Sequence, residues 1–331
     1  MKSIRILFCS ILMGFSATVT AEFLDQAPVK SFIDYMVTTH DFDRVTLEKL
    51  FSRARKSERV LTAIAKPAES LPWYKYRSIF IQPDRIEQGF VFWEEHKDLL
   101  EKAEDEYGVP AEIIVAIMGV ETWYGRFKGN DRVLDALSTL AFYYPKRSDF
   151  FRRELEQFLL LTREQHIDPV SLKGSYAGAM GMPQFIPSSY RNFAVDFDKD
   201  GKTNLWTNPA DAIGSIANYF KVHGWTSGAT VVVPGTVVDD KYEDAIGIDL
   251  EPDIHFDELS RYGIKVKNDL PADSLVKVIL LDGVSGNEIW LGLNNFYVIT
   301  RYNHSPLYAM VVYQLSEAIK KKYLDNQADQ T

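Results

Sequence analysis

Residues 110–126 read PAEIIVAIMGVETWYGR, and the helix this run predicts is apolar on nearly every side. A helix of that kind has no solvent face of its own, so it belongs at the centre of a packed domain. Pro110 suits its first position, where a missing N–H costs nothing, and Gly125 is the natural stop. Within the run Glu121 brings a carboxyl group to the last turns, just ahead of two aromatic rings and a glycine. Burying a carboxylate is costly, and the escapes are a cationic partner, such as Arg126, or a pKa high enough to keep the proton on. The negative end of the helix dipole and apolar neighbours favour the second escape. A carboxyl group protonated near neutral pH is what a glycoside-cleaving enzyme uses on a leaving oxygen. A structural glutamate and an acid catalyst are both open readings at this level.

Working outward toward the N-terminus, residues 86–107 give an amphipathic helix punctuated by Gly108, Val109 and Pro110. KPAESLPWYKYRSIF (66–80), with Pro67, Pro72 and clustered aromatics, reads as an ordered loop. Before it, apolar residues such as Phe32, Met36, Leu47 and Phe51 recur at the spacing of short helices. Toward the C-terminus, helices fit 131–143, 147–167 and 209–222, the last with Asn208 as N-cap and Gly224 as stop. Beyond Gly224 the texture changes. ATVVVPGTVV (229–238), SLVKVILLDG (274–283) and NEIWLGLNNFYVIT (287–300) are β-branched and aromatic runs separated by Gly, Asp and Asn, which predicts a small antiparallel β domain over 225–300. SPLYAMVVYQLSEAIKKKYL (305–324) is a closing amphipathic helix that packs back on the helical part. The class is α+β, mainly helical.

The chain's 331 residues, 46% of them hydrophobic, suffice for one large or several small cores. Residues 1–21 have the form of a cleavable secretory signal: Lys2 and Arg5, an apolar stretch from Ile6 to about Phe15, then Val19 and Ala21. That stretch is short for a membrane span of about 20 residues, so no transmembrane anchor is expected in the mature chain. The sole cysteine, Cys9, lies inside the signal after Phe8 rather than after a small residue, which disfavours lipid anchoring. The mature protein then has no disulfide, thiolate metal site or cysteine nucleophile. It also loses two positive charges from a chain already at −9. An acidic balance of this kind argues against nucleic acid as a partner.

DFDKDGKTN (196–204) places Asp196, Asp198 and Asp200 at positions 1, 3 and 5 of a calcium loop, Gly201 at 6 and the Lys202 carbonyl at 7. Three close aspartates repel one another unless a cation lies between them. Position 12 is Thr207 rather than a glutamate, and the next acid is Asp211 in the first turn of the following helix. The GKT within it is not a phosphate loop, because Asp196 stands where that motif needs glycine. GSYAGAMGMPQFIPSSYRNFAVDF (174–197) sets Gln184 among small and aromatic residues, suited to a sugar or simply to tight packing. ITRYNHSPLYAM (299–310) places Tyr302 and Asn303 between elements. No histidine pair has metal-site spacing, and no G-x-S-x-G elbow occurs.

Together, GVETWYGR, LDALSTLAFYYPKR, GSYAGAMGMPQFIPSSY, VDFDKDGKTNLW, DAIGSIANYFKVHGW and NFYVITRYNHSPLYAM resemble one family, the lytic murein transglycosylases of the membrane-bound B type and their soluble relatives. After the signal at 1–21, the resemblance implies an N-terminal helical domain over 22–108 completed by 304–325, a lysozyme-like catalytic core over 109–224 with the calcium loop, and the β domain over 225–300. It implies cleavage of the MurNAc-β-1,4-GlcNAc bond of peptidoglycan to 1,6-anhydromuramoyl ends, with Glu121 as the single catalytic acid. By motif position, Ser175, Gln184, Tyr302 and Asn303 line the cleft, and Tyr76 and Tyr219 stack on sugars or pack. Lys146 and Arg147 meet peptide-stem carboxylates. A structural Ca²⁺ would be held by Asp196, Asp198, Asp200, the Lys202 carbonyl and Asp211, with one extra residue before Asp211 in TNPAD; no organic cofactor is implied. The implied partners are peptidoglycan glycan strands, and wall-synthesis or remodelling proteins, in the periplasm. The rivals are a lysozyme-type hydrolytic muramidase using Asp131 or Asp135 as a second carboxylate, and a noncatalytic peptidoglycan-binding scaffold.

Overall fold

The computed structural model describes residues 23–65, 71–267 and 270–329; the signal segment and Cys9 lie outside the described residues. Chain contacts divide the protein after Lys56. In the first unit, α1 (Ala27–His40) and α2 (Arg44–Ser52) pack through Phe32 and Phe51, whose rings meet edge to face at 6.0 Å. Asp41, left-handed at φ 54°, ends α1. Asp43 caps α2 by accepting the Thr46 N–H at 2.7 Å, and bonds from Thr46 hold its carboxyl below the usual range.

The second unit begins with α3 (Glu58–Ile64), α4 (Trp73–Phe80), α5 (Pro83–Glu95), α6 (Lys97–Tyr107) and α7 (Ala111–Thr122). α7 is the central helix: Ala111 through Gly119 and Thr122 are all buried. Each fully buried Ile or Val there contributes about 1.5–3 kcal/mol. Pro110 is its N-cap rather than its first residue. Two expectations upstream are corrected. WYKYRSIF forms a helix, α4, because Pro72 supplies an extended entry and Trp73 and Tyr76 share its buried face. The predicted 86–107 helix is two, broken at His96 (φ −121°, ψ 22°). The break lets α5 pack on α7 and the C-terminal helix while α6 reaches α7 and the helix at Pro209–Val222.

Next come β1 (Asp131–Arg132), α8 (Val133–Tyr143), a 3-10 turn at Pro145–Arg147, α9 (Ser148–Glu164), β2 (Lys173–Gly174), α10 (Pro187–Phe193) and α11 (Pro209–Val222). The Asn208 side chain caps α11 through the Ala210 N–H at 3.0 Å, and Gly224 follows at φ +92°. Five strands, β3 (Val232–Val237), β4 (Ile254–His255), β5 (Ile264–Val266), β6 (Leu275–Gly283) and β7 (Gly286–Gly292), form one antiparallel sheet in the order β4-β6-β7-β3-β5. Val233, Ile254, Ile264, Val276, Val278, Ile289 and Leu291 build its own core.

The strand reading fails after Gly292. Asn294–Tyr302 is helix α12, because Phe296, Val298 and Ile299 are buried at helical spacing and the buried Asn295 amide bonds Thr226 and Ala229. α13 (Pro306–Asp329) then lies against α7, α5, α4 and α12.

Candidate active site

Glu121 occupies the last turn of α7, and the chain leaves that helix through three consecutive left-handed residues: Trp123 at φ 51°, Tyr124 at 58° and Gly125 at 82°. Two of them have side chains, for which this conformation costs about 1–2 kcal/mol each. The surroundings hold it in place. The Trp123 and Tyr124 N–H groups donate to the Gly119 and Met118 carbonyls, and the Tyr124 hydroxyl donates to the Arg85 carbonyl at 2.7 Å. Thr122 Oγ1 donates to the Met182 carbonyl at 2.9 Å and accepts the Gly125 N–H at 2.9 Å. Tyr124 can fold back because Gly119 has no side chain; a Cβ there would sit 2.6 Å from its oxygen. The aromatic pair and glycine after Glu121 thus stop the helix abruptly and leave the carboxyl half-buried at its end.

That carboxyl faces a cleft of about 910 Å³. One wall is Ser175, Tyr176, Ala177, Gln184 and Ile186; another is Arg147, Phe150 and Phe151; the third runs from Tyr302 to Leu307. Glu121 is the only carboxyl-bearing residue among the described residues that line it. Tyr308 Oη donates to Glu121 Oε1 at 2.5 Å. Burial, and then the charge of Glu121, push the Tyr308 and Tyr302 hydroxyls far above their ordinary range, so both stay protonated donors. Tyr302 donates to the Pro183 carbonyl at 2.6 Å and its ring lies parallel to that of Tyr308.

Ser175 Oγ accepts the Ala177 and Ala179 N–H groups at 3.2 and 3.0 Å, which leaves its own hydrogen to donate. Gln184, left-handed at φ 51°, gives its amide N–H groups to the Lys128 and Gly181 carbonyls and keeps its oxygen as an acceptor. The small residues of this segment serve backbone packing: a Cβ on Gly174 would lie 2.2 Å from the Ala179 carbonyl oxygen.

The cleft therefore brings together Glu121, Ser175, Gln184, Tyr302, Asn303 and Arg147. It does not include Tyr76, buried against Phe80, or Tyr219, whose ring packs edge-on to Tyr302 and whose hydroxyl donates to the Arg301 carbonyl at 2.5 Å. Lys146 is exposed beside Arg147. Asp131 pairs with Arg59 and Asp135 with Arg132, and neither lines the cleft. Sequence reasoning missed Tyr308; its only signal was a tyrosine six residues after Tyr302 in the same quoted stretch.

In the acidic loop, Asp196, Asp198 and Asp211 offer carboxylate oxygens all within 4.8 Å of one another. Oxygens around one Ca²⁺ at about 2.4 Å have that separation at most, so the donor set fits a hard cation. Asp211 is fully buried, with Oδ1 accepting the Phe197 N–H at 2.9 Å and Oδ2 the Asn204 N–H at 2.7 Å. Asp200 Oδ1 accepts the Lys202 N–H at 2.8 Å, and Gly201 holds the turn at φ +87°.

The model of the transglycosylase SLT domain matches residues 25–317. Membrane-bound lytic murein transglycosylase B of Escherichia coli is 45% identical over 90% of this chain and 84% of its own length. Among solved structures, the catenated lytic transglycosylase SltB1 from Pseudomonas aeruginosa is 50% identical, with a TM-score of 0.86 over 90% of this chain and 98% of the other. The E. coli lytic transglycosylase Slt35 in complex with calcium is 44% identical, with a TM-score of 0.84 over 92% and 96%.

Proposed function

Because the chain belongs to the SLT-domain transglycosylases, and is a lytic murein transglycosylase that cleaves peptidoglycan with formation of anhydromuramoyl ends, we propose that Glu121 alone is its acid and then its base. The observation that carries this is the cleft's composition: no other carboxyl-bearing residue among those described lines it. In the first step the protonated Glu121 gives its proton to the glycosidic oxygen as the bond from MurNAc C1 breaks, and the GlcNAc side leaves as an alcohol. In the second, the MurNAc 6-hydroxyl attacks C1 and its proton returns to the Glu121 carboxylate. No water enters, and the enzyme ends in its starting protonation state. An intramolecular hydroxyl has an effective molarity up to about 10⁵–10⁸ M, so no second carboxylate is needed to activate water. Tyr308, protonated at any physiological pH, steadies the carboxylate while it carries charge.

The Ser175 hydroxyl and the Gln184 oxygen supply one donor and one acceptor to the sugars, Asn303 contacts them from the facing wall, and Arg147 at the rim meets stem-peptide carboxylates, with Lys146 adding charge nearby. Tyr302 is a buttress, with Tyr219 and Tyr76 packing behind. The acidic loop would hold Ca²⁺ through Asp196, Asp198 and Asp211, with Asp200 and the Lys202 carbonyl completing the loop; the ion would stiffen the segment before α11 and takes no part in the cut. Slt35 crystallised with calcium supports this reading. Export by the signal at 1–21 to the periplasm fits a murein substrate, and no helix among the described residues is long and apolar enough to cross a membrane.

The test is mass spectrometry of fragments released from purified peptidoglycan by the wild type and Glu121→Gln. Anhydromuramoyl ends that vanish with the substitution are expected. Reducing ends would mean that water reaches C1 and a second carboxylate acts; undiminished anhydro products from Glu121→Gln would remove Glu121 from the chemistry.

A further inference from the structure

A second cavity, of about 600 Å³, lies at the other end of the α7/α13 pair. The helices run side by side in opposite directions: Tyr308 meets Glu121 at one end, and Lys320 Nζ meets Glu112 Oε1 at 2.7 Å at the other. At 1.5 Å per residue, Glu112 is about 13 Å along the axis from Glu121. The cavity shares no lining residue with the catalytic cleft, and its volume is that of a small-ligand site.

Its walls have two characters. Trp93, stacked on Tyr323 with ring centres 4.4 Å apart, faces the site together with Trp225 and Tyr313. Among these lie Glu104, Glu112 and Glu317, with Lys320 as the only lining cation among the described residues. The carboxylates therefore exceed the ammonium by two charges. Trp225 is 6% exposed, and its indole N–H has no acceptor among the described residues. Aromatic faces beside surplus carboxylates are suited to an organic cation, by ion pairing and by attraction to the ring quadrupoles. The side-chain alkylammonium of a peptide is such a cation.

We propose that this cavity binds the free side-chain ammonium of a murein stem peptide, outside the catalytic cleft, and so holds the enzyme on wall regions whose peptides are not crosslinked. The proposal rests on the murein reading of the catalytic cleft. A crosslink turns such an amine into a neutral amide and removes the charge the cavity selects for.

The test is retention of the full chain carrying Glu121→Gln on purified sacculi, untreated or with their amines acetylated, with and without Glu104→Gln and Glu317→Gln. Both are isosteric; Glu104→Gln keeps an oxygen for the Ala111 N–H that Glu104 accepts at 3.2 Å, and Glu112 is left to pair with Lys320. Acetylation is expected to weaken retention of the parent about tenfold, the equivalent of roughly 1.4 kcal/mol, and that of the substituted chain less than twofold. No effect of acetylation, or an equal effect on both chains, would overturn the proposal. With Glu121 intact, the Glu104→Gln, Glu317→Gln enzyme should cut peptide-free glycan strands at the wild-type rate. Loss of that cutting from a chain that still melts like the wild type would overturn the separation of the two sites, whereas failure of the unsubstituted enzyme to cut would fault the catalytic reading.

Discussion

Tyr308→Phe isolates one atom of the proposed mechanism. The ring is fully buried and phenylalanine fills its place, so the substitution deletes the hydroxyl that donates to Glu121 Oε1 at 2.5 Å and little else. A hydrogen bond to a charged acceptor contributes about 1.5–3 kcal/mol, against 0.5–1.5 for a neutral one. In the proposed mechanism Glu121 starts neutral and carries charge as the glycosidic bond breaks, so the bond strengthens toward the transition state. Loss of that increment predicts a fall in kcat of about tenfold, and up to a hundredfold if the whole charged bond is lost. KM should stay within about twofold, because the hydroxyl does not line the cleft. Single-turnover release of anhydro-ended fragments from a soluble glycan, with melting curves run in parallel, measures both. An unchanged kcat, or a raised KM at constant kcat, would refute the role given to Tyr308.

Three further outcomes follow from other parts of the protein. Added Ca²⁺ at about a hundred times its Kd should stabilise by about 2.7 kcal/mol and so raise the melting temperature by several degrees over a chelator. Asp211→Asn should lower it in both conditions, because an amide cannot accept both the Phe197 and Asn204 N–H groups; equal wild-type curves with and without calcium would remove the ion. Burial lifts the Glu154 carboxyl above its ordinary 4.5, against the pull of Ser188. A folded-state pKa above the unfolded one means stability that falls as pH rises between the two, so Glu154→Gln should outlast the wild type at neutral pH and lose that advantage below 4.5; a parallel offset at all pH values would refute this. Arg85 is 7% exposed, lies over the Phe80 and Trp123 rings, and has Nε and Nη1 without acceptors among the described residues. Arg85→Met should therefore change stability by less than about 1 kcal/mol, and a loss above about 3 in denaturant unfolding would show that the guanidinium has a partner.

Features set by neighbours in the chain were legible without the structure. The apolar run at 110–123 marked α7, Asn208 and Gly224 bracketed α11, and the aspartate spacing marked the acidic loop. What tertiary packing decides was not. Nothing near His96 announces a helix break, because its cause is the separate docking of α5 and α6. NNFYVIT has the composition of a strand and becomes α12 because Asn295 meets Thr226 and Ala229, some seventy positions earlier. For Glu121, local reasoning weighed only near neighbours such as Arg126; the Tyr308 hydroxyl that donates to it stands 187 positions away.

That separation also orders events in time. Glu121 is made in the first half of the chain, while the wall from Tyr302 to Leu307 and the Tyr308 hydroxyl come from its last tenth. During synthesis the carboxyl has neither its donor nor a closed cleft until α13 has emerged and docked. An enzyme that cuts peptidoglycan is thereby completed last at the wall facing its carboxyl, and a product shortened before Pro306 lacks part of that wall and the Tyr308 donor.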